Sequence, residues 1–157
     1  MIGDFRIALA RAAVAHGIEF DWRRVRHDSA VRPDGYFSLQ FPWLAPGQNR
    51  AFFFLEVDRS TMTRERFVDK LGAYWSWHEA CGHTRVYEIR NFRVLTVTKS
   101  EERLASLLSA VAGALDRRHR ARHFYFTSER RFAGAAHASI LEAIWHNAEG
   151  ERCGLAS

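Results

Sequence analysis

The chain has 157 residues, 47% of them hydrophobic, with a formal charge of +5 and a pI near 9.8. This suits one domain with a real core and excludes a disordered chain; no apolar run approaches the roughly 20 residues of a membrane span, and Met1-Ile2-Gly3-Asp4-Phe5-Arg6 lacks a signal-peptide layout. Cys81 and Cys153 give no disulfide framework, so a cytoplasmic setting is expected, and the basic balance points weakly to a polyanionic partner.

In chain order, Asp4 to His16 reads as a helix with Phe5, Leu9, Ala12 and Ala13 on one side, stopped by Gly17. Phe20 to Val25 alternates like a strand. Pro33-Asp34-Gly35 is turn chemistry leading into a second strand, Tyr36 to Phe41. Ala51 to Val57 is a continuous apolar run suited to a central strand covered on both faces. Thr63 to His78 is a helix whose stripe is Phe67, Val68, Leu71, Tyr74, Trp75 and His78, with Lys70 on its edge. A strand from Phe92 to Thr98, a helix from Glu101 to Leu115 and a strand from His123 to Thr127 follow. Ser139 to Trp145 is expected to be a short helix, and residues 149–157 a loose tail after a single domain over residues 1–148. The order α-β-β-β-α-β-α-β means a mixed sheet with helices on its faces.

Chemistry concentrates where strands begin and end. Asp34 opens the second strand; Glu56 and Asp58 close the third, two apart and hence on one face. Acids at the end of a buried strand are costly unless paired or bound to a cation. Mg²⁺ takes carboxylate oxygens, usually one or two, and completes its shell with water and phosphate. Such an ion polarises a phosphoryl oxygen and activates water. The competing explanation is that Glu56 and Asp58 simply pair with local arginines such as Arg59 and Arg64. Basic residues also inform: there are 21 Arg but only two Lys, Lys70 and Lys99. If Arg is written wherever a positive charge will do, the two lysines are candidates for places where the guanidinium fork does not serve.

Pro33-Asp34-Gly35-Tyr36, Phe53-Phe54-Leu55-Glu56-Val57-Asp58-Arg59-Ser60-Thr61, Lys70-Leu71 with Tyr74, and Phe92-Arg93-Val94-Leu95-Thr96-Val97-Thr98 together resemble the plasmid replication-relaxation protein family, over about Asp4 to Trp145. The same residues resemble the wider PD-(D/E)XK nuclease superfamily. That resemblance implies a restriction-endonuclease-like α/β fold with an αβββαβ core and a mixed central sheet. It implies Asp34 and Glu56 as the first and second motif acids, with Asp58 assisting, as ligands of Mg²⁺ or Mn²⁺. The usual motif lysine is replaced at position 58 by Asp, with Arg59 beside it, so Lys70 takes the place of a migrated lysine and Tyr74 positions it or a phosphate. The resemblance also implies an N-terminal winged-helix part in the family, which is expected to be absent from this chain.

Other features carry less. His78-Glu79-Ala80-Cys81-Gly82-His83 spaces its histidines five apart rather than the four a zinc-protease helix needs. A zinc site from His78, Cys81 and His83 lacks a fourth ligand, so a helix end with a buried His is preferred. Arg117, Arg118, Arg120 and Arg122 are either a solvated helix end, where positive charge is favourable, or contacts to DNA phosphates. Trp75, Trp77 and Trp145 are candidates for stacking on unpaired bases. Two functions remain open: a Mg²⁺- or Mn²⁺-dependent DNA endonuclease, or a catalytically silent DNA-binding or assembly module in plasmid replication or mobilisation. DNA is the expected partner, with a winged-helix part or replication and mobilisation proteins beside it and no membrane.

Overall fold

The apolar run Arg50–Asp58 (β3) is central because it can be covered on both faces, and everything else is arranged around it. A computed structural model describes residues 1–114, 121–133 and 140–156. The elements are α1 (Ile2–His16), β1 (Glu19–Arg23), β2 (Gly35–Gln40), β3, α2 (Arg64–Glu79), α3 (Gly82–Tyr87), β4 (Arg93–Thr98), α4 (Glu101–Ala114), β5 (Phe124–Ser128), β6 (Trp145–Asn147) and β7 (Arg152–Cys153), with 3-10 turns at Ala121–His123 and Glu129–Arg131. Among the described residues they build one seven-stranded sheet in the order β1-β2-β3-β4-β5-β6-β7.

The sheet is mixed. β1, β2 and β3 form an antiparallel meander, β3-β4-β5 is parallel, and β6 and β7 return antiparallel. The parallel pairs need crossovers, which α2 with α3 and α4 supply. Two right-handed crossovers that advance the same way along a sheet fall on the same face. Accordingly α2 and α4 share one apolar cluster with Tyr36, Phe54, Val94 and Phe126, while α1 covers the other face through Phe5 and Leu9 against Phe37, Phe53 and Leu55. This is the expected α/β architecture with helices on both faces.

Local chemistry explains the boundaries. Gly17, at φ 65°, takes the left-handed conformation that ends α1 and lets Ile18 turn into β1. Thr63 caps α2 by accepting from the Arg66 N–H at 3.3 Å, a contact typically worth about 1 kcal/mol. Gly35 was expected in a turn but is the first residue of β2. A side chain there would drive its Cβ to 2.5 Å from the Trp22 ring, so glycine is required by packing.

Three expectations are corrected. Of the stretch Ser139 to Trp145, read as a helix, Ser139 lies outside the described residues, and Ile140 and Leu141 form a short 3-10 turn that leads through a further turn into β6. The apolar spacing of the stretch is real, since Ile140, Leu141 and Trp145 are all buried, but the first two sit in a 3-10 turn and the third opens β6. The end of the chain, read as loose, holds β7 on β6 and buries Leu155. Helix α3 was not anticipated; it is only six residues long and begins from Cys81 in the left-handed conformation.

Candidate active site

The carboxyl end of β3 lies where the sheet changes from antiparallel to parallel pairing. Phe54, Glu56 and Asp58 alternate onto the α2–α4 face, as strand geometry requires. Phe54 packs in the core; Glu56 and Asp58 are also buried, at 2% and 6% exposure. A buried carboxylate needs partners, and the two acids find different ones.

Glu56 is held from α2. Phe67, Leu71, Tyr74 and Trp77 are the buried face of that helix. Lys70 and Tyr74, one turn apart, emerge side by side from it. The Lys70 ammonium donates to Glu56 Oε2, and the Tyr74 hydroxyl donates to Oε1 at 2.5 Å. Burial pushes the Glu56 carboxyl above its ordinary value, Lys70 and Tyr74 oppose the rise, and the Asp34 charge adds to it. Burial, and then the neighbouring Glu56 charge, drives the Tyr74 hydroxyl well above its usual value, so it remains a donor.

Asp58 is held from α4. Arg103 places Nε and Nη2 on its two oxygens at 2.7 and 3.0 Å, and Nη2 also donates to the Met62 carbonyl at 2.7 Å. This fork is the strong bidentate kind. Neither Arg59 nor Arg64 is the partner. Sequence reading missed Arg103. Its one signal is position: an arginine in the first turn of a helix, where acids are favoured, needs another reason to be there.

Asp34 is exposed and directly precedes β2. Its N–H donates to the Leu55 carbonyl at 2.8 Å, and its Oδ2 accepts from the Val57 N–H at 2.8 Å. The residue thus brackets the backbone on either side of Glu56. Asp34, Glu56, Asp58, Arg59 and Lys70 line one recess of about 200 Å³. Thr96 lies opposite Glu56 on β4, and its hydroxyl is buried without a partner among the described residues.

The metal expectation is tested by this chemistry. Among the described residues no three His, Cys, Asp or Glu side chains form a group able to hold a metal ion. Both oxygens of Asp58 are spent on Arg103. Asp34 and Glu56 remain. Asp34 Oδ1 has no hydrogen-bond partner among the described residues, and each Glu56 oxygen carries only one donor and keeps a lone pair. Mg²⁺ and Mn²⁺ retain water and leave room for phosphate, so these two carboxylates are the ones that would hold such an ion.

The other predicted residues lie elsewhere. Arg117, Arg118 and Arg120 fall outside the described residues. Arg122 is exposed in the turn before β5, near the opposite end of the parallel strands. Trp77 and Trp145 are buried, which removes them as stacking platforms; Trp75 is half-buried. His78 and His83 stack with ring centres 4.8 Å apart, and His83 Nε2 meets the Arg90 carbonyl at 3.0 Å. These are packed histidines at a helix end.

The model of the replication-relaxation family matches residues 1–95, from α1 into β4 and across the Asp34, Glu56, Asp58, Lys70 and Tyr74 positions. No curated protein and no solved structure matches the chain. No helix among the described residues is long and apolar enough to cross a membrane.

Proposed function

Since the chain belongs to the replication-relaxation family, we propose that it is a DNA-processing domain of plasmid replication, acting as a metal-dependent DNA phosphodiesterase of the PD-(D/E)XK kind. One observation carries this reading: Glu56, buried at the end of β3, is gripped by Lys70 and Tyr74 beside Asp34 in an open recess. A structural ion pair does not require a second acid alongside, which raises the cost of charging Glu56.

Asp34 and Glu56 would hold the ion, which supplies positive charge at the phosphate being cleaved. Lys70 is a third exposed, so its ammonium reaches both Glu56 and the recess. There it stabilises charge developing on the phosphoryl oxygens and orients the attacking water. Tyr74 is a positioning residue: its hydroxyl fixes Glu56 and touches nothing that reacts. Asp58 acts through backbone placement, because its clamp to Arg103 ties the end of β3 to α4 and to the Met62 carbonyl.

A second reading has an observation of its own. Because Arg103 neutralises Asp58, the recess has only two acids to offer a metal, which favours a silent DNA-binding or assembly module. Nicking of supercoiled plasmid DNA in Mn²⁺ separates the two. The phosphodiesterase reading expects nicking that a chelator abolishes and that Glu56→Gln lowers at least about 100-fold, roughly 2.7 kcal/mol of barrier. Absence of cleavage on supercoiled, linear, single-stranded and branched DNA alike leaves the silent module.

A further inference from the structure

The other end of the parallel strands has the opposite character. A cleft of about 650 Å³ lies where β3, β4 and the turn before β5 begin. Arg50 opens β3, Arg93 opens β4, Arg122 lies in the 3-10 turn two residues before β5, and Arg90 stands on the segment between α3 and β4. Against these four guanidiniums, the lining contains one carboxylate, Glu88. None of the four makes an ion pair among the described residues. Arg50 reaches only the neutral Gln40 amide, and Arg93 sits 5.2 Å over the Tyr125 ring. Their charge is therefore uncancelled, unlike that of Arg103 and Arg131, which are each spent on a carboxylate.

We propose that this cleft binds the phosphodiester backbone of a nucleic acid, as a site separate from the carboxylate recess. The arrangement decides the ligand class. Arg50 at the start of β3 and Arg122 in the turn two residues before β5 stand two strands apart, about 10 Å at ordinary strand spacing, with Arg90 on the segment that leads into β4 between them; Arg93, on the opposite face from Arg50, lies over Tyr125. A row of that length suits successive phosphates along a strand better than one compact anion. Guanidiniums grip phosphate oxygens in a bidentate manner, and Asn91, Asn49 and Gln48 add neutral amides for further oxygens. The cleft lies about 20 Å along β3 from Glu56, at roughly 3.3 Å per residue. It would hold the nucleic acid while another part of the same molecule meets the recess. The inference shares with the preceding reading only the choice of DNA as partner; it requires no cleavage.

The test measures binding of the whole chain to a labelled single strand and to a labelled duplex, by fluorescence anisotropy, in chelator and over a range of salt concentrations. Arg50, Arg90 and Arg122, all changed to Ala, are expected to weaken binding at least tenfold and to reduce the salt slope by about 2–3, as for three lost phosphate contacts. A loss on only one of the two DNAs supports the cleft and identifies the form of backbone it takes. A control removes the same charge from exposed sites elsewhere, with Arg11, Arg24 and Arg130 changed to Ala. It is expected to stay within about twofold of the parent. Equal behaviour of the two triple variants on both DNAs overturns the proposal. Thermal melting of each variant establishes that the fold is retained. Loss of binding in the cleft variant, in a protein that never nicks DNA, keeps this inference and removes the phosphodiesterase; nicking with unchanged binding does the reverse.

Discussion

Glu56 and Asp58 are two residues apart on one strand, face the same way and are both buried, yet the structure treats them differently. Asp58 is locked. A guanidinium fork covers both oxygens, and the arginine is itself only 15% exposed. Glu56 is held by single points, an ammonium on one oxygen and a phenol on the other, and its lysine remains a third exposed. Two acids of one motif can thus divide the work, one fixing the strand end and the other staying available to a ligand. The lesson is about partners: an arginine that saturates a carboxylate removes it from chemistry, while a lysine leaves coordination sites open.

The comparison is broken most forcefully at the locked site. Arg103→Met strands a buried Asp58 and frees the Met62 carbonyl, so urea unfolding is expected to show a loss of about 3 kcal/mol. A loss below about 1 kcal/mol would mean that Asp58 reaches water and is not locked. At the open site the order of effects reverses. Glu56→Gln is expected to cost at least about 100-fold in Mn²⁺-dependent nicking without loss of stability. Lys70→Ala is expected to lower nicking about tenfold, or ~1.4 kcal/mol, and Lys70→Arg to stay low. Full activity in Lys70→Arg would show that any positive charge suffices and would undo the argument from lysine scarcity.

The smallest effect is in pH dependence, where Glu56 and Glu101 should move in opposite directions. Arg131, joined by Ser128, draws the Glu101 carboxyl down to about 2 against the opposing effect of burial. Its contribution to stability is present above the ordinary 4.5 and lost as pH falls toward 2. The Glu56 carboxyl is raised by burial, so its contribution is present below 4.5 and lost as pH rises through the higher folded value. Relative to wild type, Glu56→Gln should therefore gain stability as pH rises above 4.5. Glu101→Gln should lose it between pH 2 and 5. Denaturant melts across pH measure both; parallel trends would contradict the assigned partners.

Much of this was legible beforehand for physical reasons. The β3 run is apolar enough to declare a central strand, and an abrupt switch to Glu56-Val57-Asp58 marks its end. The α2 stripe fixes which helix face is buried, so Lys70 and Tyr74 fall on the side facing β3. Arg103 was not legible, because its contact with Asp58 is made across 45 residues and depends on how α4 docks. Gly35 was assigned to a turn because Pro-Asp-Gly is turn chemistry; only the packed Trp22 ring reveals why glycine is needed. Strands β6 and β7 are three and two residues long, too short for any alternation to register. Ile140, Leu141 and Trp145 are spaced like a helix face because a 3-10 turn followed by a strand can bury residues at the same spacing.

The account stands on Asp34 and Glu56 offering a divalent cation what Asp58 cannot. Calorimetric titration of Mn²⁺ into the chain and three variants tests this without reference to any DNA. The expected result is one ion bound per chain, lost in Asp34→Asn and in Glu56→Gln. Asp58→Asn, measured at a temperature where melting shows it folded, should retain it. No binding by the parent chain, or binding that persists in Glu56→Gln and disappears in Asp58→Asn, would contradict the assignment.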